Sequence, residues 1–157
     1  MIIHCNSFRY LWEVLEKEEY SFVFKHLVVL DIGACIGSFS LWIAPYAKQI
    51  YAIEAEQKHI DNFNKTINSN KITNIKTYVE KLTDIKDFMQ RNDINRVDVM
   101  KIDIEGDEYA IFGKEDFPTK KVSTIIGEYH KGSLETILTA KGYFYIDLPN
   151  KHFIARR

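Results

Sequence analysis

The sequence holds little cysteine: Cys5 and Cys35 are the only two among 157 residues. They make no C-x-x-C pair, so neither a zinc site nor a disulfide framework is implied, and the expected setting is a reducing cytoplasm. Proline is scarce as well. Three prolines, with no Gly/Ser tract and no internal repeat, leave no obvious joint between domains. No apolar run is long enough to span a bilayer, and the opening MIIHCNSFRY lacks the form of a signal peptide. No membrane partner is therefore expected. An excess of one charge is also missing, since 21 basic and 22 acidic side chains give a formal net charge of −1. That balance argues against a protein relying on a broad basic face for nucleic acid.

Hydrophobic residues are plentiful at 46%, enough for one core in a chain of this length. Their spacing alternates between strand-like and helix-like along the chain. SFRYLWEVLEKEEY (7–20) places Phe8, Leu11, Trp12 and Leu15 at helical spacing, with Ser7 as N-cap. HLVVLDIG (26–33) is too continuously apolar for a half-exposed strand and reads as one buried on both faces. SFSLWIA (38–44) follows as a helix starting at Ser38 and ended by Pro45. Further strands are expected at QIYAIEA (49–55), NIKTYV (74–79), VDVMKIDIEG (97–106) and STIIGEYH (123–130), with a closing pair at YFYID and HFIARR around LPN. Between them lie a helix burying Ile60, Phe63 and Ile67 and capped by Asn70, a short helix using Ile85, Phe88 and Met89, and a helix closed by Gly142. This alternation predicts an α/β fold: a doubly wound, seven-stranded, mostly parallel Rossmann-like sheet with helices on both faces. A single domain is expected, with residues 27–157 as its body and 1–26 as an N-terminal helical segment packed on it.

Sheets of this kind bind ligands beyond the carboxyl ends of their strands, where strand order reverses. DIGACIGS (31–38) falls there. Gly33 and Gly37 are expected to let a ligand approach backbone amides, and the helix from Ser38 to aim further N–H groups at the same place. Glu54, at the end of the next strand, suits ribose hydroxyls. A nicotinamide dinucleotide is disfavoured, because the loop lacks the middle glycine of G-x-G-x-x-G and adds Asp31, which repels a pyrophosphate. S-Adenosylmethionine, with a sulfonium, an ammonium and a ribose, matches Asp31 and Glu54 better. A second constellation follows the fourth and fifth strands, where Asp103 with Glu105, and Glu128 with His130, are each two apart and expected on one side.

VLDIGACIGSFSLWIA, IYAIEAEQKHIDNFNKTINSN, VDVMKIDIEGDEYAIF and TIIGEYHKGSLETILTAKGY together resemble the FkbM-type class I S-adenosylmethionine-dependent methyltransferases. The resemblance implies transfer of a methyl group to a hydroxyl, on a sugar, natural product or other small acceptor. It implies that the loop holds the methionine part of the cofactor, through Asp31, Gly33, Ala34, Cys35, Gly37 and Ser38, that Glu54 and Ala55 meet the ribose, and that acids after the fourth strand line the reaction site. Glu80 is the expected adenine contact and Asp103 reaches cofactor as well as acceptor. Cys35 stands where the family usually carries asparagine, and only Glu80 and Lys81 separate the third strand from LTDIKDF, where the family has a longer stretch. The end soon after the seventh strand points to a large or partner-supplied acceptor, and a protein partner or homo-oligomer is an open expectation.

The expected catalytic set is Asp103, Glu105, Glu128 and His130, with His130 or Glu105 as general base. An alternative has Asp103, Glu105 and Glu128 hold a divalent cation that acidifies the acceptor hydroxyl. Two rival functions are an RNA methyltransferase and a non-catalytic subunit that only binds the cofactor. Against the first, DIEG stands where base-nitrogen enzymes carry Asn/Asp-Pro-Pro-aromatic. Against the second stand the intact acids after both strands.

Overall fold

The run LVVLDI has no polar residue until Asp31, and it forms the central strand β1 (Leu27–Ile32), fully buried from Val29 onward. The structure is a computed structural model describing residues 26–157; the helix expected at 7–20 lies outside the described residues. Six further strands complete one sheet: β2 (Ala47–Glu54), β3 (Ile75–Val79), β4 (Val97–Ile102), β5 (Val122–Glu128), β6 (Phe144–Leu148) and β7 (His152–Arg156). Their order is β3-β2-β1-β4-β5-β7-β6. The first five strands pair in parallel, and β7 runs antiparallel to both β5 and β6. Strand order reverses between β1 and β4, so a crevice opens at their carboxyl ends.

Among the described residues, five helices cover the faces: α1 (Ser38–Ile43), α2 (Gln57–Ser69), α3 (Ile85–Arg91), α4 (Glu108–Phe112) and α5 (Glu135–Ala140). Side-chain alternation along β1 sends Leu30 and Ile32 into one apolar cluster and Val29 into the other, under α1 and α2. Helix α2 buries Ile60, Phe63 and Ile67, and α3 buries Ile85, Phe88 and Met89, as their spacing predicts. Helix α1 stops at Ile43, and a 3-10 turn containing Pro45 follows. Gly142 closes α5 with φ 84°, its N–H donating to Thr139 O and that of Tyr143 to Leu138 O.

Asn70 caps α2 as expected; Lys71 after it is left-handed (φ 53°), and the Asn70 side chain donates to Thr66 O. One expectation changes. Strand β4 ends at Ile102, so Asp103 to Gly106 form a turn instead of the strand's last residues. Among the described residues, no helix is long and apolar enough to cross a membrane.

Candidate functional site

A cleft of about 280 Å³ opens at the strand tips where order reverses, near the lower end of ligand cavities. Ile32, Ile53 and Leu82 give it an apolar wall; Glu54, Glu80, Asp103, Glu105 and Asp107 supply carboxylates. Of the residues expected to meet cofactor, Gly33, Glu54, Ala55, Glu80 and Asp103 line it. Ala34, Cys35, Gly37 and Ser38 follow Gly33 around the turn without lining it.

The glycines serve packing first. A Cβ on Gly33 (φ 73°) would lie 1.8 Å from the backbone oxygen of Asp103, and one on Gly37 would lie 2.1 Å from the Phe63 ring. Nor are the loop amides bare. Gly33 N and Ala34 N both donate to Ile53 O, Gly37 N to Ala34 O, and Cys35 N to Glu54 Oε2 at 2.8 Å. Helix α1, only six residues long, adds little dipole. The loop is thus shaped by the close approach of β4 and α2, and its contribution to a ligand is the floor it forms at Gly33.

Asp31 departs from expectation more sharply. It is completely buried and faces inward beneath the loop, not into the cleft. It stands opposite Lys101 in the β1–β4 register. Ser40 Oγ donates to its Oδ2 at 2.6 Å, and Lys101 Nζ lies 3.5 Å from Oδ1. Lys101 is itself 4% exposed, donates to Gly33 O at 2.7 Å, and lies 3.9 Å from Asp103 Oδ2. A strand-end aspartate on the cluster side of β1 points under α1, where solvation is lost and a buried cation must balance it. The acids that line the cleft just beyond β4 are Asp103 and Glu105.

Glu54 keeps its expected place at the tip of β2. Burial opposes its charge, but backbone N–H groups of Glu56 and Cys35, together with His59, outweigh that and lower its pKa. His59 Nδ1 lies 3.7 Å from Glu54 Oε1. Glu80 lines the cleft while accepting from Arg91 of α3. Lys81 and Asp107 also line it and pair with each other at 2.8 Å.

The second constellation gathers around His130. Its Nε2 lies 3.3 Å from Glu105 Oε2 and 3.9 Å from Asp103 Oδ1, and its Nδ1 lies 3.0 Å from Glu108 Oε1. Asp103 and Glu105 meet there because the turn after β4 swings Glu105 into a left-handed conformation (φ 56°), not because a strand alternates. One donor atom from each of Asp103, Glu105 and His130 fits within 4.8 Å. Glu128 is not part of that group; it ends β5 opposite His152 of β7, whose Nε2 lies 3.9 Å away. Burial lowers the pKa of His130, but its hydrogen bond with Glu108 and the charges of Glu108, Glu105 and Glu128 raise it overall. Glu108 was hidden in the sequence because IEGDEY reads as a solvated helix start; its position two residues after Gly106 is the only trace.

A family model described as the methyltransferase FkbM domain matches residues 15–145. The chain belongs to the FkbM methyltransferase family. It is an S-adenosylmethionine-dependent methyltransferase. No curated protein matches this FkbM methyltransferase in sequence. Its fold is shared with precorrin-6y C5,15-methyltransferase of Geobacter metallireducens GS-15, at 16% identity and TM-score 0.63 over 85% of this chain and 81% of that one. An rRNA methylase of Streptococcus thermophilus is similar at 9% identity and TM-score 0.62, over 83% and 85% of the two chains. TrmK of M. capricolum, solved with S-adenosylhomocysteine, is similar at 17% identity and TM-score 0.60, over 83% of this chain and 61% of that one. The cleft fits the family's cofactor chemically: an ionised carboxylate at the tip of β2 suits ribose hydroxyls, the apolar wall suits an adenine ring, and Asp103 suits a positive centre.

Proposed function

We propose that this methyltransferase acts on a hydroxyl group of a sugar, a natural product or another small acceptor, with His130 as general base. The observation that carries the reading is the approach of His130 Nε2 to Asp103 and Glu105, two acids that line the cleft although His130 itself does not, with Nδ1 held from behind by Glu108. Glu54, Ala55 and Gly33 would hold the cofactor, with Glu80 toward the adenine and Asp103 toward the methionine end. The bound cofactor supplies a methyl group on a positively charged sulfur. The protein's own work is to orient the acceptor and move its proton. His130 takes that proton on Nε2, and Asp103 and Glu105 stabilise the imidazolium that results. The carboxylates lining the cleft disfavour an acceptor carrying phosphates beside the reacting group, which weighs against RNA although an rRNA methylase shares the fold.

The test is methyl-labelled cofactor incubated with three acceptor sets: neutral glycosides, phenols and bulk tRNA. Transfer to a glycoside or phenol is expected, with His130→Asn lowering turnover by roughly 10²–10⁴ while S-adenosylhomocysteine binding is retained. Labelling of tRNA alone, weakening steeply as salt rises, would instead support the RNA reading. The sign of the pH dependence follows from the site. A base works when neutral, and the neighbouring carboxylates raise the pKa of His130. Turnover should therefore climb with pH through an apparent pKa above the ordinary imidazole value of about 6.5. Glu105→Gln removes one raising charge and should move that limb to lower pH.

A second reading is favoured by the compactness of Asp103, Glu105 and His130, whose donor atoms fit within 4.8 Å. In it the three hold a divalent cation beside the acceptor oxygen. Turnover that survives a chelator supports the base, and turnover lost to chelator and restored by added Mg²⁺ or Mn²⁺ supports the cation.

A further inference from the structure

We propose that Glu108 is a positioning residue that fixes His130 as the Nδ1–H tautomer, so that a bare Nε2 faces the acceptor. This deepens the reading above and rests on His130 working through Nε2.

Glu108 is fully buried, so its carboxylate depends on the donors within reach. Its Oε1 accepts from Ile104 N at 3.3 Å and from Gly106 N at 3.2 Å, and lies 3.0 Å from His130 Nδ1. Among the described residues, its other oxygen has no hydrogen-bond partner. An oxygen already taking two backbone N–H groups is an acceptor, so the third contact is a donation from the ring. A neutral imidazole has one N–H, and placing it on Nδ1 leaves Nε2 with only its lone pair.

The groups in front of the ring compete for that proton. Glu105 Oε2 and Asp103 Oδ1 are both acceptors facing Nε2, at 3.3 and 3.9 Å. Each would draw the N–H to the wrong side. Glu108 prevails because its contact is shorter and its side chain is 1% exposed, against 87% for Glu105 and 35% for Asp103. A hydrogen bond to a charge withdrawn from water is the stronger one. The same oxygen also ties down Ile104 and Gly106, which bracket Glu105. One buried atom thus sets both the ring and the turn that presents Glu105 to it, an arrangement like the outer carboxylates that orient working histidines elsewhere.

The test is nitrogen-15 NMR of the whole protein with labelled histidine rings at roughly pH 9, well above the ordinary imidazole pKa. His130→Asn identifies the signal among the five histidines. The expected wild-type spectrum shows a protonated Nδ1 and a bare Nε2. In Glu108→Ala the proton should move to Nε2, facing Asp103 and Glu105. Glu108→Gln, which keeps the shape and one acceptor oxygen, should give a mixture, and it serves as the readout if the alanine variant does not fold. A wild-type Nε2–H ring, or an Nδ1–H ring unchanged in both variants, overturns the inference; a merely structural glutamate would leave the tautomer where it was. The base reading fails separately, if His130→Asn keeps full turnover while the wild-type ring is still Nδ1–H.

Discussion

Replacing Lys101 with methionine is expected to cost about 3–5 kcal/mol of stability, the cost of leaving a buried charge without its partner. Lys101 sits opposite Asp31 in the β1–β4 register, with side-chain exposures of 5% and 0%. Asp31 Oδ2 has Ser40, but among the described residues Oδ1 has no hydrogen bond, and the ammonium 3.5 Å away is what compensates it there. Methionine retains most of the stem volume and removes the charge. The unfolding midpoint should fall by roughly 6–20 °C, at about 2–4 °C per kcal/mol for a chain near this size. Adding Asp31→Asn to Lys101→Met should recover much of the loss, because the stranded charge is then gone. A single variant within about 0.5 kcal/mol of the wild type, the range of ordinary surface changes, would contradict the pairing.

Gly33→Ala is the second large effect. The added Cβ would meet the Asp103 carbonyl oxygen at 1.8 Å, and the obstacle is backbone just beyond the end of β4. Asp103 N meanwhile donates to Ile32 O at 3.1 Å, holding the two strand tips together. Relief requires prising β1 from β4 at the floor of the cleft. Overpacking of about 1–3 kcal/mol and a left-handed penalty of about 1–2 kcal/mol together predict a loss of roughly 2–5 kcal/mol. Gly142→Ala separates the two parts. Its φ is 84°, and the nearest neighbour of its added Cβ is the Arg157 side chain at 3.7 Å, so only the backbone penalty applies. Denaturant unfolding of both variants is the measurement. Equal losses would show that the approach of Asp103 is not what requires a glycine at position 33.

The architecture could be read from the chain because both-face burial leaves a signature that propensity cannot blur. VVL, YAI and the Ile125–Ile126 pair are continuous apolar runs, and the three buried residues of α2 recur at helical spacing. The rim of the sheet was readable for the same reason, since polar residues such as Glu54, Asp103 and Glu128 stop those runs. What the sequence could not supply was direction. Asp31 and Glu54 both end a parallel strand, yet one is sealed under α1 and the other lines the cleft. The difference is set by the register with β4, which delivers Lys101 to Asp31 alone. The turn after β4 was hidden similarly. A period of two placed Asp103 and Glu105 on one side, and they do share His130, but through a left-handed residue that a carboxylate at position 105 does not announce. Glu108 escaped notice because charged residues are seldom buried, and the burial of Lys101, though that residue stands out at the end of the fourth strand, shows only in its contacts with Asp31 and Gly33.

We propose that Glu54 holds the methyl donor in the cleft at the tips of β1, β2 and β4. Calorimetric titration of wild type and Glu54→Gln with S-adenosylhomocysteine tests it most directly. A charged hydrogen-bond acceptor contributes about 1.5–3 kcal/mol, so the variant should bind roughly 10–100-fold more weakly, with NADH giving no heat in either. Equal affinity in the two proteins would contradict the account.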